Sequence, residues 1–286
     1  HVMKCYQKKY IPGSNVTVTL DERDMQVKYE ALKEHIDPVQ FLDLLIRMRL
    51  KFDKYVVKSE NDANGDVQAW HLSYVEKYKK SYDTVNTFKD VVQARIICFE
   101  SMLQVSFNTQ RNKDWLQYIL ELDDEVLCDG EKFLETLKKW ARERLVNFKM
   151  GKENSGKDFY RLGLESSRFM LNLADYLMWE NHISGSAGER YAVSDEFVFK
   201  YFNSVEHHHP QHDDQLPHDQ RWSKEQIDDI GNLFLVYSSE NASMNNREPQ
   251  SKKNRFLAHN GGLLPTDPKR RWLYEHTYDD GRGGSL

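Results

Sequence analysis

The sequence predicts a mainly α protein: a helical bundle over residues 1–184, then a small ββα finger over 185–275 and a disordered tail over 276–286. Three observations carry this. Apolar residues recur at helical spacing along most of the chain before residue 185. The small-residue run Ser184-Gly185-Ser186-Ala187-Gly188 reads as a linker. Beyond it, two short runs rich in aromatic and β-branched residues, 197–202 and 233–237, have the composition of strands.

Taken in order, residues 26–48 place Val27, Ala31, Leu32, Phe41, Leu42, Leu44 and Leu45 at helical spacing. Pro38 divides that stretch into two helices, because proline lacks the N–H that an inner turn needs. Residues 67–82 and 88–103 read as two more helices, 114–122 as a short one, and 125–148 as a long amphipathic one. A further helix over 158–181 carries Leu162, Leu164, Phe169, Leu171, Leu173, Leu177 and Trp179. The aromatic residues on these helices read as core rather than as a base-stacking platform. After the second strand, polar residues 241–253 lead into a helix, and the glycine-rich stretch from 279 gives nothing to pack.

At 286 residues the chain can bury a substantial core in one or two domains. It has no apolar run of the roughly 20 residues a membrane-spanning helix needs. Residues 1–15 lack the apolar centre of a signal peptide. Cys5, Cys98 and Cys128 are odd in number, scattered and without a Cys-x-x-Cys pair, so a reducing, cytoplasmic setting without membrane contact is expected. Asn15-Val16-Thr17 and Asn241-Ala242-Ser243 fit the glycosylation pattern, which a cytoplasmic chain does not use.

Chemistry concentrates in Ser204-Val205-Glu206-His207-His208-His209-Pro210-Gln211, then Ile230-Gly231-Asn232-Leu233, then Glu240-Asn241. Hydrolysing a phosphodiester needs an activated water, a neutralised phosphate and a stabilised leaving oxygen. A neutral imidazole can take the water's proton near neutral pH, which makes His207 the candidate base. One hard divalent cation, Mg2+ or Mn2+, supplies the other two effects, with Glu206 and Asn241 as its candidate ligands. Asn232 is expected to orient the imidazole, and Pro210 to end the first strand. The order is that of a one-metal HNH, or ββα-metal, nuclease finger.

The net charge of −5 is no obstacle to DNA binding, because phosphates are met by local cations rather than by a basic average. Arg247, Lys252, Lys253 and Arg255 follow the last candidate ligand and are the expected phosphate contacts. Two other basic groups, Lys138 to Lys157 and Lys269-Arg270-Arg271, are left open. Gly151 to Lys157 has phosphate-loop spacing, but Asp158 stands where Ser or Thr is needed and no strand precedes it, so it reads as a helix–helix turn. Glu60 to Gly65 starts like a calcium loop, yet position twelve is His71, and a surface turn is expected. Zinc bound by His207, His208, His209, His212 and His218 would leave Asn232 and Asn241 without a role.

The motifs Ser-Val-Glu-His-x-x-Pro-Gln-His, Ile-Gly-Asn-Leu-x-Leu and Asn-x-Ser-x-x-Asn with a downstream Lys pair resemble the C-terminal HNH domain of GmrSD-type modification-dependent (type IV) restriction and anti-phage proteins. Residues 99–107 with Trp115-Leu116 are similar to the helical region ahead of that domain. Ala242 and the pair His208-His209 depart from the pattern at positions that are not ligands. The resemblance implies a metal-dependent DNA endonuclease or nickase acting on DNA, modified phage DNA included. It also implies an N-terminal ParB-like nucleotidase module, whose Asp-Gly-Gln-Gln-Arg-type signature the sequence lacks. The chain, which opens at His1, is therefore expected to be the effector half of a larger protein. A homodimer would give one finger to each DNA strand. The competing expectation is a non-catalytic DNA-binding or regulatory module with a degenerate or zinc-stabilised finger.

Overall fold

The computed structural model describes residues 1–109, 113–153, 164–185, 193–211 and 221–277. The chain divides into two compact units, His1–Glu60 with Ala69–Arg142 and Asn61–Gln68 with Glu143–Leu286. Mainly α structure is borne out, with small two-stranded ribbons between the helices.

The first unit opens with helices α1 (Val2–Tyr10), α2 (Met25–Leu32) and α3 (Pro38–Tyr55). The break at Pro38 falls as expected. The Asp37 carboxylate accepts the N–H groups of Val39 and Gln40 at 2.9 and 3.0 Å, and Pro38 sits in the first turn, where no N–H is needed. Later come α4 (Asp90–Ser106), α5 (Asp114–Glu121), α6 (Asp124–Leu127) and the long α7 (Gly130–Glu153). Ile96, Met102 and Leu103 of α4, Ile119 of α5, Leu127 of α6 and Phe133, Leu134 and Leu137 of α7 are fully buried and form the centre of this unit.

Two expectations fail here. Residues 125–148 are not one helix: the Asp129 carboxylate accepts the Lys132 N–H at 3.2 Å and starts α7 afresh at Gly130. A Cβ on Gly130 would stand 3.0 Å from the Phe88 ring, so any larger residue there would have to push that ring aside. Residues 67–82 are not helical at all. They form β2 (Val67–His71), which pairs with β1 (Lys58–Asn61), and most of a hairpin of β3 (Ser73–Tyr78) and β4 (Ser81–Asn86). Val, Trp, Thr and Tyr at these positions suit a pleated ribbon, and Gly65, at φ 88, turns the chain into β2. The Asp62 carboxylate accepts the N–H groups of Asn64 and Asp66 at 2.8 and 2.9 Å, which makes the calcium-loop lookalike a tight turn.

The second unit holds α8 (Leu164–Ile183), β5 (Ser204–His207), α9 (Lys224–Ile227), a 3-10 turn (Ile230–Asn232), β6 (Leu233–Val236), α10 (Ser238–Met244), α11 (Pro249–His259) and α12 (Pro268–Glu275). Strands β5 and β6 pair antiparallel, Ser204 opposite Val236 and His207 opposite Leu233. Every residue of β6 is buried. Phe234 and Val236 pack with Met244, Leu273 and Tyr274, while Leu233 and Leu235 pack with Leu171 of α8. Alternating side chains thus meet apolar layers on both faces, which explains an unbroken Leu-Phe-Leu-Val strand.

The first strand begins later than the run 197–202. The Phe202 N–H turns back onto the Lys200 carbonyl at 2.9 Å, and the Phe197 and Phe199 rings meet each other at 4.7 Å, so this stretch packs instead of pairing. Residues 241–253 are divided between α10 and α11, with Asn245 at φ 48 ending the former and Pro249 opening the latter. Residues 158–163, the phosphate-loop lookalike from Asn154 onward, the linker from Ser186, His212, His218 and the tail from 278 lie outside the described residues.

Candidate functional site

Strand alternation at the end of β5 sends Glu206 inward and leaves His207 partly open to solvent. Inside, the Lys252 ammonium of α11 donates to Glu206 Oε1 at 2.7 Å, to the His207 carbonyl, and to the His208 carbonyl at 3.3 Å. The two side chains are 0% and 7% exposed. Burial lowers the Lys252 pKa while Glu206 raises it. Lys252 is therefore not available to a phosphate, and its expected role as a DNA contact is corrected to that of an internal counter-ion.

Asn232 also acts through the backbone. Its Oδ1 accepts the His209 N–H at 2.7 Å, and its Nδ2 donates to the His209 carbonyl at 3.1 Å and to the Ile227 carbonyl at 2.8 Å. The His208 N–H continues the ribbon by donating to the Asn232 carbonyl at 2.7 Å. The expected contact between Asn232 and the imidazole of His207 is thus replaced by a clamp on the chain just after it. Asn232 itself is delivered by the 3-10 turn, where Asp229 Oδ1 accepts the Gly231 N–H at 2.7 Å.

The His207 ring has a different partner. Its Nε2 lies 3.2 Å from Asp228 Oδ1 and 3.3 Å from Gln211 Nε2. Asp228 carries no signal in the sequence, because an acid in a polar turn has no assigned neighbour until the turn is folded. Asn241, on α10, donates through Nδ2 to Ser204 Oγ and to the Val205 carbonyl at 3.4 Å, which brings its amide to β5, the strand of Glu206. Lys252 engages Glu206 through Oε1, and the Asn241 bonds use only its nitrogen. A carboxylate oxygen and an amide oxygen are hard donors of the kind Mg2+ or Mn2+ takes. Among the described residues no three His, Cys, Asp or Glu side chains gather to hold a metal.

His208 and His209 are structural. Thr277 donates its hydroxyl to the Leu273 carbonyl at 2.7 Å, so its oxygen accepts from His208 Nε2 at 2.9 Å. That fixes the neutral Nε2–H form, and burial first, then Lys252 and Lys269, lower the His208 pKa to about 3. His209 stacks on Trp222 at 4.2 Å. Of the remaining basic candidates, Arg247 and Arg255 are exposed, and Lys253 is half-buried with its ammonium on the Thr277 carbonyl at 3.2 Å. The group Lys269-Arg270-Arg271 is largely internal. Arg270 pairs with Glu240 and lies 4.2 Å over the Phe256 ring, and Arg271 pairs with Glu275 at 3.0 Å.

The class follows from comparison: the stretch 149–275 matches the family model described as GmrSD restriction endonucleases, C-terminal domain, which implies a restriction-endonuclease type of function. The matched stretch contains every candidate site residue, and the family it resembles implies DNA as substrate. No curated protein and no solved structure matches the chain. No helix among the described residues is long and apolar enough to cross a membrane.

Proposed function

We propose that the chain is a divalent-metal-dependent DNA endonuclease or nickase, the effector part of a GmrSD-like phage-defence protein, with an HNH site built on β5, β6 and α10. The supporting observation is the end of β5 itself. Glu206 and His207 are adjacent there, the former fixed by Lys252 and the latter by Asp228. When Nε2–H donates its hydrogen bond to the Asp228 carboxylate, the Nδ1 lone pair is left to take a proton from water. Asn232 keeps the strand end rigid beneath the ring. Glu206 and Asn241 would hold a Mg2+ or Mn2+ ion through their oxygens. Such an ion, when bound, neutralises charge on the scissile phosphate and leaving oxygen. Arg247 and Arg255, with Lys253 behind them, are the phosphate contacts on this side. A homodimer would offer one site to each strand, and a nucleotidase module would license cutting of modified phage DNA in the cytoplasm.

Plasmid cleavage tests this, with wild type beside His207→Ala, in Mg2+, in Mn2+ and in EDTA. Metal-dependent nicking or linearisation is expected from wild type. The variant should be slower by about 10²- to 10⁴-fold with unchanged circular dichroism. Wild-type rates from the variant would remove His207 as the base. Cutting in EDTA would remove the metal. Binding without cutting under every condition would favour the non-catalytic module.

A further inference from the structure

Among the described residues, the hairpin β3–β4, in the first unit, is anchored at its root. There the Lys58 ammonium donates to the Ser73 carbonyl at 2.8 Å, the Lys54 ammonium lies 4.6 Å over the Tyr74 ring, and the Thr87 N–H donates to the Leu72 carbonyl at 3.1 Å. Beyond Tyr74 and Val85 the ribbon leaves its support, and every residue from 75 to 84 is exposed. Val75, Tyr78 and Tyr82 are 65%, 61% and 71% exposed. A two-stranded ribbon gains little stability from solvent on both faces, so these side chains serve no core.

The charges on this ribbon are sorted. Glu76 lies opposite Asp83, two acids on one face. The other face pairs Val75 with Thr84 and Lys77 with Tyr82, and it carries no acid. Lys79 and Lys80 form the tip, where the Ser81 hydroxyl donates to the Tyr78 carbonyl at 3.0 Å. Lys79 adopts φ 55, the left-handed region that a hairpin tip normally gives to Gly, Asn or Asp. A strained backbone thus carries an ammonium where a glycine would fold more easily.

We propose that this hairpin is a duplex-DNA contact: its tip and its Lys77–Tyr82 face enter a groove, with Lys77, Lys79 and Lys80 on the flanking phosphates. The major groove, about 12 Å wide, admits a two-stranded ribbon. The acid-free face meets the duplex and the Glu76–Asp83 face turns away from it. The choice of DNA as partner rests on the proposed function above. The contact itself is separate from the residues of the cutting site.

Binding of the whole chain to a labelled duplex, followed by fluorescence anisotropy in EDTA across a salt series, tests the contact without cleavage. The triple variant Lys77→Ala, Lys79→Gly, Lys80→Ala should bind more weakly. Its plot of log affinity against log salt should be shallower by about 0.9 for each phosphate that a lysine no longer neutralises. Tyr82→Ala should weaken binding with the slope unchanged. Lys79→Gly alone removes one charge while relieving the backbone, so weaker binding by a variant at least as stable as wild type separates contact from folding. Wild-type affinity and slope in the triple variant would overturn the proposal, leave the nuclease reading standing, and point to a protein on the hairpin. Weakening confined to a single-stranded competitor would overturn the groove contact. Absence of duplex binding by the wild-type chain would overturn the hairpin contact, and plasmid cutting in Mg2+ or Mn2+ would decide the nuclease reading separately.

Discussion

Lys252 gives its ammonium to three acceptors, one carboxylate oxygen and two carbonyls, and so neutralises Glu206 while holding the last turn of β5. A buried carboxylate left without its counter-ion is costly, so Lys252→Ala should destabilise the second unit by about 3–5 kcal/mol in denaturant unfolding. Lys252→Met combined with Glu206→Gln should recover most of that loss, because neither side chain then carries charge. Equal stability of Lys252→Ala and wild type would mean that water reaches Glu206. That Glu206, His207, Asn232 and Asn241 converge near β5 was legible in the sequence from their kind and order. Partnerships were not. Lys252 lies 45 residues from His207 and Asp228 lies 21 residues from it, and only the folded ribbon makes them neighbours.

At the scale of elements, the 3-10 turn that delivers Asn232 depends on Gly231. A Cβ there would stand 2.8 Å from Asp229 Oδ1, the atom that accepts the Gly231 N–H. Gly231→Ala should therefore loosen the cap at a cost of about 1 kcal/mol and slow plasmid cutting, although no reacting group is changed. Unaltered cleavage by a destabilised variant would separate the turn from the positioning of Asn232. Helices with proline or aspartate at their starts, such as α3, were legible because the cap is local. The ribbons over 67–86 were not, because Val67, Trp70 and Tyr74 mimic helical spacing and the tip of the β3–β4 hairpin carries Lys79 instead of a glycine. The late start of β5 was hidden for another reason: aromatic rings at 197–202 satisfy strand composition while packing on one another.

Over the whole molecule, stability should respond to pH through a group far from the chemistry in sequence. Glu100, in the first unit, is fully buried, and its Oε2 accepts the Val57 N–H at 3.0 Å while its Oε1 is buried without a hydrogen-bond partner. Burial pushes its pKa up to about 8, against the pull of the Val57 bond and of Lys58. An acid with a raised folded pKa stabilises fully below its ordinary value and loses that contribution as pH climbs through the folded one. The melting midpoint of wild type should thus fall between the ordinary glutamate range and pH 8, and Glu100→Gln should flatten that fall. A slope unchanged by Glu100→Gln would assign the pH dependence elsewhere. The supports of β5 have one more consequence. Two of them, Lys252 and, through His208, Thr277, come after even β6 and Asn232 in the chain. A polypeptide stalled on the ribosome short of Lys252 has β6 and Asn232 against that strand but no counter-ion for the buried Glu206, so this corner is finished only when the last helices arrive.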